Sequence, residues 1–412
     1  MFEKNELMDL SDFYNNQIHT RKLTDKLGRY YTPISIAEIL CELVGKVDNQ
    51  NIIDLGCGCG NLILGSYKSW KNCTYHAYDI DTLAINRLAS FQKKNIFTYN
   101  MDIINGNIPY ESFDIGISNP PYIYFSKEKI LEKLKSETSL EKEIIKLNRI
   151  PAPLIFLTKI LSAVKKNGKV GLIFPNGLLV NKAYKNIRKI LLNEYKINTI
   201  IKLEPYVFDS TETYAHLLII ENSVPENKYP IQFYELVKNK LINPALRSNI
   251  SCYERMDYFL NRNPQNNQKL SNYIETIFRG NVSSKFIKEN PNRKIFHTTN
   301  FNNNEKNFLS ITSNSSADIC IKYAQKNDIL IARVGRHFYK KIKIVDINNL
   351  EISDSIIVIR PKKNKTKLIY KILTSNDGQE YLKTVSQGTG AKYITHDQIL
   401  NLPLNMEDIH VF

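Results

Sequence analysis

The sequence has few of the features that mark membrane, secreted or metal-dependent proteins. It contains no run of about 18 apolar residues, the length of a membrane-spanning helix, and its opening residues lack the apolar core of a signal peptide. Cysteine is scarce, with six in 412 residues and no regular spacing, which is typical of reduced thiols in a cytoplasm. Cys57 and Cys59 have no second Cys or His pair at ligand spacing, so we expect no metal site. These absences predict a cytoplasmic protein with no membrane partner.

Acidic residues are also in short supply, and unevenly so. The net charge is +15; residues 1–225 carry 28 Lys and Arg against 24 Asp and Glu (+4), whereas residues 226–412 carry 28 against 17 (+11). A basic half joined to a nearly neutral half indicates a polyanionic partner, with nucleic acid the first candidate. The alternative is a basic surface that serves only solubility. The length of 412 residues fits two domains of ordinary size.

The first half alternates apolar strand patterns with amphipathic helix patterns, which predicts a parallel α/β sheet. Such sheets bind ligands beyond the carboxyl ends of their strands. The first strand ends in a glycine-rich turn at 54–60, and its Gly-x-Gly-x-Gly spacing disfavours the dinucleotide pattern. The second strand ends at Asp79, where an acid typically bonds ribose hydroxyls. A third strand ends at Asp102, which could accept the amino group of an adenine.

The fourth strand, 113–118, stops at the tetrad Asn119-Pro120-Pro121-Tyr122. Proline fixes its own φ and holds the preceding residue extended, so the tetrad can keep one amide and one ring still. The Asn119 side-chain oxygen and the Pro120 carbonyl can accept hydrogen bonds from one amino group, and Tyr122 can lie under a planar ring. The tetrad alone is equally consistent with an Asx-Pro turn; the ordered set of four strand ends favours a clamp for a planar amino group.

The chain beyond the tetrad predicts an insertion, a boundary and a second domain. Residues 123–150 are charged and predict a mobile helical insertion beside the site, and an aromatic turn at 204–208 could face Tyr122. The pattern of the sheet resumes and ends near residue 222, and short β-like runs rich in Asn, Ser and Lys then follow. We therefore expect one domain at 1–222, a linker at 223–240 and a second domain at 241–412.

With these motifs in order, the first 222 residues resemble the gamma-class, TaqI-like adenine-N6 DNA methyltransferases. The resemblance implies a class I S-adenosylmethionine-dependent fold with a Rossmann-like seven-stranded sheet. It implies S-adenosylmethionine as cofactor, held by Tyr31, Thr32, Asp54, Gly56, Gly58, Asp79, Ile80, Asp102 and Asn119. The catalytic residues it implies are Asn119, Pro120, Tyr122 and, as a second stacking aromatic, Phe208.

The second half resembles the target-recognition domains of type I restriction specificity subunits, through phrases at 328–335, 353–361 and 387–394. The resemblance implies a mixed α+β domain that binds double-stranded DNA, with Arg333, Arg336 and Lys392 as candidate contacts. No long spacer helix follows Leu404, and no second repeat of the domain is present. We therefore expect a monomeric single-chain enzyme, with a separate cognate restriction endonuclease as a candidate partner.

The combined expectation is a site-specific methyltransferase that modifies N6 of an adenine flipped out of DNA, in restriction–modification or in host or phage DNA modification. Three alternatives stay open. The same tetrad occurs in methyltransferases that act on protein glutamine or on RNA guanine, and its clamp suits each of those amino groups. A DNA-specificity protein with a silent methyltransferase half is a second alternative. A fused restriction–modification enzyme is a third, although no segment is available for a nuclease.

Overall fold

The structure, a computed structural model, describes residues 32–131, 134, 137–204, 207–208, 215–257, 269–302, 321–386 and 392–404. The chain divides into two compact units, Met1–Asn261 and Arg262–Phe412. The division lies about twenty residues beyond the domain start at 241 that the sequence predicted.

A nine-stranded sheet forms the frame of the first unit. Its strands are β1 (Asn51–Leu55), β2 (Thr74–Asp79), β3 (Ile96–Asn100), β4 (Phe113–Ser118), β5 (Val164–Pro175), β6 (Lys196–Lys202), β7 (Ala215–Glu221), β8 (Pro230–Val237) and β9 (Lys240–Ser248). They lie in the order β9-β8-β6-β7-β5-β4-β1-β2-β3. Strands β1 to β5 are all parallel to one another, whereas β7 is antiparallel to both of its neighbours, β5 and β6. The carboxyl ends of β1, β2, β3 and β4 therefore meet at one edge.

Helices cover both faces of this sheet because the buried strands are apolar on both sides. Ile53 and Leu55 of β1 belong to the same buried cluster as Ile160, whereas Ile52 belongs to the opposite cluster with Leu40. The helices of the unit are α1 (Ile34–Val44), α2 (Asn61–Ser66), α3 (Thr82–Ser90), α4 (Lys127–Leu131), α5 (Ser139–Ile144), α6 (Ala152–Ala163), α7 (Asn176–Val180) and α8 (Lys185–Glu194).

The sheet is wider than predicted. Strand β8 and the first residue of β9 occupy half of the stretch predicted as a linker at 223–240. Strand β8 pairs with β6 and β9 pairs with β8, so nine strands take the place of seven. A second difference lies in β5, where the sequence predicted a turn at 165–168. The strand continues through it with a register shift, and Asn167 adopts a φ of 64°. Asparagine tolerates this left-handed conformation, so the turn signal marks a bulge.

The insertion after the tetrad is packed against the first unit. Tyr124–Ser126 pairs with Arg149–Pro151 as a short antiparallel ribbon, and a capping box of Thr138 and Glu141 begins α5. Leu140 and Ile144 of α5 are buried in the cluster that contains α6. The described helices of the predicted mobile insertion thus contribute apolar side chains to the core.

The second unit is built on a four-stranded antiparallel sheet, with strands in the order β10-β13-β11-β12. Buried apolar residues of the sheet, Leu330 and Val358 among them, form its core with Phe296. Its elements are β10 (Ile274–Arg279), β11 (Ile329–Ala332), β12 (Ile342–Ile344), β13 (Ile356–Pro361), α9 (Ser284–Glu289), α10 (Thr366–Thr374), α11 (Asn376–Val385) and α12 (His396–Leu400).

Candidate active site

The glycine-rich turn after β1 needs its glycines for conformation. Gly56, Gly58 and Gly60 have φ of 73°, 51° and 84°, a region that side chains with a Cβ rarely adopt. A Cβ on Gly60 would also lie 2.7 Å from Leu88 Cδ1. The turn is tied to β2, because the amide nitrogens of Gly56 and Cys57 lie 2.8 and 3.1 Å from the Tyr78 carbonyl oxygen. The backbone of the turn therefore lies close to the carboxyl end of β2.

Asp79, at the end of β2, fixes the same turn through its carboxylate. Its Oδ2 accepts a hydrogen bond from the Gly58 amide at 2.7 Å, and its Oδ1 accepts one from the Asp81 amide at 2.8 Å. Asp81 in turn caps α3 by accepting from the Leu83 amide at 3.0 Å. One carboxylate therefore sets the spacing between the glycine turn and the start of the next helix.

Asn119, at the end of β4, is oriented by the segment before α1. Its Nδ2 lies 3.0 Å from the hydroxyl oxygen of Thr32, and Asn61 Nδ2 donates to the Thr32 carbonyl at 2.7 Å. Thr32 is buried at 4% exposure. Three residues that are far apart in the sequence therefore hold one another, and the amide oxygen of Asn119 is directed away from Thr32.

A cavity of about 300 Å³ lies where these strand ends meet. Its walls include seven of the residues predicted to bind the cofactor: Thr32, Gly56, Gly58, Asp79, Ile80, Asp102 and Asn119. Asp102 is held by its own turn, in which its Oδ1 accepts a hydrogen bond from the Ile104 amide at 2.9 Å. The ordered motifs at four strand ends are thus brought together around one cavity.

Asp54 lies apart from that wall. Its side chain is buried at 1% exposure, and neither carboxyl oxygen has a hydrogen-bond partner within the described part of the chain. Burial, together with the nearby charge of Asp79, raises the pKa of Asp54 well above its usual range. Burial likewise raises the pKa of the Cys57 thiol in the cavity wall, so this cysteine has little thiolate character.

The predicted catalytic residues are placed unevenly. Pro120 is buried and Tyr122 is half-buried beside Asn119, and neither is among the residues that line the cavity. Phe208 is only 3% exposed and belongs to the buried cluster with Leu203 and Leu217. The structure therefore does not place Phe208 at the cavity. Tyr31 lies outside the described residues.

Sequence reasoning missed several residues of the cavity wall. Ile103 and Ile104 follow Asp102 directly, and Ile123 and Phe125 follow the tetrad at alternate positions, so proximity to a motif could have indicated them. Phe156, from the middle of α6, had no local signal. The wall residues that lay outside the predicted site motifs are Asn61, Leu62, Asp81, Ile103, Ile104, Ile123, Phe125 and Phe156, whereas Cys57, Cys59 and Pro121 belong to the predicted turn and tetrad.

In the second unit the structure brings together the three basic candidates. The loop after β11 pairs with the segment before α12: the Gly335 amide donates to the Lys392 carbonyl, and the Ile394 amide donates to the Arg333 carbonyl, each at 2.9 Å. Arg336 is exposed in the same loop. Arg333 Nε is buried with no hydrogen-bond partner among the described residues, and burial, with the charge of Arg279, lowers the pKa of Arg333. Arg279, an unpredicted member, is paired with Asp354 at 2.9 Å.

Within the described ranges, no group of three or more His, Cys, Asp and Glu side chains is arranged to hold a metal ion. None of the helices in those ranges has both the length and the apolar character that a membrane crossing requires.

Comparison with known proteins gives a consistent result. The chain is 25% identical over 284 residues to the type I restriction enzyme MpnII methylase subunit of Mycoplasma pneumoniae, covering 60% of this chain and 51% of the relative. It is 21% identical over 240 residues to the type II methyltransferase M.CvrRI of Paramecium bursaria Chlorella virus XZ-6E, covering 57% and 59%. The chain thus spans between half and three-fifths of the length of these curated relatives.

A solved structure shows a likeness of fold that extends further along the chain. The type IIG restriction endonuclease BpuSI aligns with 98% of this chain and 62% of its own, with a TM-score of 0.53 and 13% identity. The family model for N-6 DNA methylases matches residues 8–261, more than half of the chain. The protein therefore belongs to the N-6 DNA methylase family.

Proposed function

We propose that this chain transfers a methyl group from S-adenosylmethionine to N6 of an adenine in DNA. The observation that carries the proposal is the position of Asn119 in the wall of the same cavity as the glycine-rich turn and Asp79. A nucleoside-type ligand held by the turn and the acid would lie next to an amide that can accept hydrogen bonds. Membership of the N-6 DNA methylase family supports this assignment.

The residues around the cavity fit the methyl donor. A Cβ on Gly56 would lie 3.0 Å from Phe156 Cε1, so glycine keeps that part of the turn open to a ligand. Asp79 and Asp102 offer carboxylate oxygens to hydroxyl and amino groups, and the buried Asp54 lies behind the turn, where a bound cation would favour its ionised form. When bound, the donor would supply an electrophilic methyl group on a positively charged sulfur.

Asn119 would act by positioning the attacking nitrogen. The N6 lone pair of adenine is delocalised into the ring, so a strong base is less useful than acceptors that draw the two N6 hydrogens into one geometry. The Asn119 side-chain oxygen and the Pro120 carbonyl are those acceptors. Both are held still, Asn119 by Thr32 at 3.0 Å and Pro120 by its ring. Fixed dipoles of this kind stabilise positive charge that develops on the nitrogen.

The adenine must leave the duplex to reach this site, at a cost of a few kcal/mol. Stacking on Tyr122 would recover about 1–3 kcal/mol of that cost. We assign the stacking to Tyr122 first, since Phe208 is 3% exposed and would have to leave the core before it could contact a base.

The second unit would select the DNA site. Arg333, Arg336 and Lys392 lie on two paired backbone segments, a compact basic surface of the kind that binds phosphates and sets register on a duplex. A restriction–modification or DNA-modification role for the whole protein, with or without a separate nuclease, follows from the named relatives only as part of this proposal.

Methyl transfer from radiolabelled S-adenosylmethionine tests the proposal with DNA, tRNA and a glutamine-containing peptide as separate acceptors. We expect label in DNA alone, located on adenine N6 by nucleoside mass spectrometry. Label in RNA or peptide would favour another planar amino substrate, and donor binding without transfer to any acceptor would favour a silent specificity protein.

The matched variants are Asn119→Ala and Asn181→Ala, because Asn181 is an asparagine outside the cavity wall. Losing one fixed acceptor should lower turnover by about 100-fold or more in Asn119→Ala while donor affinity, measured by calorimetry, stays close to that of the unaltered protein. Near-normal turnover of Asn119→Ala would contradict the catalytic role proposed for the tetrad.

A further inference from the structure

The two edge strands of the nine-stranded sheet, β9 and β3, differ in whether they could pair with an additional strand. At one edge, β9 carries Pro244, the charged residues Lys240 and Arg247, and Asn243 at a φ of 52°, and its pairing with β8 shifts register. Proline, charge and bulges are the devices by which proteins prevent edge strands from pairing with other chains. The β9 edge is therefore protected.

At the opposite edge, β3 has none of these devices. Its sequence, Ile-Phe-Thr-Tyr-Asn at Ile96–Asn100, contains no proline and no charged side chain. It pairs with β2 in unbroken parallel register from Ile96 to Asn100, and no other described strand pairs with it. Such a strand is a template for addition of another strand.

The backbone groups that β3 turns outward can be identified from the bonds it makes inward. The Tyr75 amide donates to the Asn95 carbonyl, and the Met101 amide donates to the Asp79 carbonyl, each at 2.8 Å. In a parallel pair alternate residues face the same neighbour, so the odd-numbered residues face β2. Thr98 and Asn100 accordingly direct their amide and carbonyl groups toward the open edge.

Two aromatic side chains on one face of β3 stack against rings of the neighbouring strand β2, and together they form an aromatic ladder. The rings of His76 and Phe97 stack at 5.3 Å between centroids, and those of Tyr78 and Tyr99 stack at 4.4 Å, across β2 and β3. The outer rings are left open, with Phe97 47% and Tyr99 37% exposed. The ladder ends at the sheet edge with two large aromatic side chains in contact with water.

We propose that a second copy of this chain completes the edge, with β3 pairing antiparallel to β3 of the other copy about a two-fold axis at Thr98. In that register Thr98 exchanges two backbone bonds with its counterpart, and each Asn100 amide meets an Ile96 carbonyl. Phe97 of one copy then lies opposite Tyr99 of the other. The aromatic ladder continues across the interface, where cross-strand aromatic pairs stabilise a sheet.

Self-complementarity favours a second copy over an unrelated strand. The same register sets Tyr99 opposite Phe97 of the other copy as well, so the two-fold symmetry repeats the aromatic pair on both sides of Thr98. The contact is isologous, with the same patch on both partners. It does not depend on the proposed methyl transfer, so it can fail while that activity stands.

Sedimentation equilibrium of the full chain over a wide concentration range tests the proposal. We expect a reversible dimer with a Kd below about 100 μM, which is the affinity of a modest interface. Thr98→Pro removes an outward donor that β2 does not use and should raise the dimer Kd by about 100-fold. Tyr99→Ser removes both cross-strand aromatic pairs and should raise the Kd by about tenfold. A chain that stays monomeric, or a dimer untouched by both variants, would overturn the proposal.

A cross-linking pair covers the case in which Thr98→Pro folds poorly. Hydrogen-bonded antiparallel partners have Cα atoms about 5.5 Å apart, within disulfide range, so Thr98→Cys should form an intermolecular disulfide under mild oxidation. Leu246→Cys, 66% exposed on the protected edge, is the matched control and should not. Equal cross-linking of both variants, or cross-linking of the control alone, would contradict pairing at β3.

Discussion

The second unit pairs its buried acids with arginines, as the first unit pairs Asp257 with Arg255, but two other buried ionisable groups of the first unit have no such partner among the described residues. In the second unit, Asp328 is 2% exposed and accepts two hydrogen bonds from Arg360 at 2.9 and 2.7 Å, and Glu351 is 4% exposed and accepts two from Arg293 at 2.8 and 2.9 Å. In the first unit, Asp54 and His216 are each 1% exposed, and no side-chain nitrogen or oxygen of either is hydrogen-bonded among the described residues.

The difference is local rather than a property of the whole first unit. Arg188, also in the first unit, is 2% exposed and donates to the carbonyls of Leu178 and Asn181 at 3.1 and 2.8 Å. A lone buried polar group costs stability, and folds tolerate this chiefly where function requires it. Asp54, behind the glycine turn, fits that pattern, whereas the second unit uses its buried acids to hold loops together.

Breaking a paired acid should have the largest effect on stability. Arg360→Met leaves the Asp328 carboxylate buried without its partner, which should lower the free energy of unfolding of the second unit by about 3 kcal/mol. We take the low end of the usual range because the Arg360 side chain is 32% exposed. Hydrogen–deuterium exchange with peptide-level resolution measures the two units separately.

Lys362→Met is the control for that change, since Lys362 is an exposed cation two residues away. It should leave exchange unchanged. If Arg360→Met lost no more protection than the control, the paired acids of the second unit would be structurally dispensable, and the contrast between the units would disappear.

His216 gives the first unit a pH dependence of its own. Burial lowers the pKa of His216 to about 4; the positive charges of Lys202 and Arg255 act in the same direction, and the negative charge of Asp257 acts against them. The unfolded chain, with an ordinary pKa near 6.5, therefore takes up a proton first as pH falls. The contribution of neutral His216 to the free energy of unfolding is therefore fully present above pH 6.5 and is lost as pH falls from 6.5 to 4. Between pH 7 and 5 the free energy of unfolding should fall by about 2 kcal/mol.

Urea unfolding followed by fluorescence measures this effect, because Trp70, the single tryptophan, lies buried in the first unit. His216→Gln should flatten the dependence between pH 7 and 5, and His337→Gln, an exposed histidine of the second unit, should not alter it. An equal slope in the unaltered protein and His216→Gln would assign the acid sensitivity to other groups.

Much of the cavity could be predicted from sequence because each of its motifs is continuous. The glycine turn, Asp79, Asp102 and Asn119 each follow a recognisable strand, and a parallel sheet brings strand ends together without further information. Phe156 joins them only through the packing of α6, which no local pattern specifies.

The failures of prediction have the same origin. Phe208 was expected at the site, but its ring is buried with Leu203 and Leu217, and an aromatic side chain in a turn is compatible with either position. The segment 230–248 was divided between a linker and the second domain because the sheet was expected to end near residue 222, although β8 alternates buried and exposed residues at Ile231, Gln232 and Phe233. Arg279 lies near Arg333 only because β10 pairs with β13.

A smaller effect is expected for the basic loops of the second unit. Arg333→Ala should lower affinity for duplex DNA by about tenfold and reduce the salt dependence of binding by about one ion. Fluorescence anisotropy over a range of salt concentrations measures both quantities. Lys326→Ala, an exposed cation outside these loops, is the control, and an equal loss in both variants would mean that overall charge, rather than this loop, sets the affinity.

The smallest change in stability is expected where the contrast is sharpest, at Asp54. Because burial and the charge of Asp79 raise the pKa of Asp54, its ionised form disfavours folding, and the neutral Asp54→Asn should leave the unfolding free energy within about 1 kcal/mol or raise it. A bound cation favours the ionised form of Asp54, which asparagine cannot adopt, so Asp54→Asn should weaken binding of the cationic donor by about tenfold. An unchanged or higher free energy of unfolding together with weaker donor binding would mean that the first unit keeps Asp54 for its ligand. A loss of stability as large as that of Arg360→Met would instead show that Asp54 is held by the protein itself, as the paired acids Asp328 and Asp257 are.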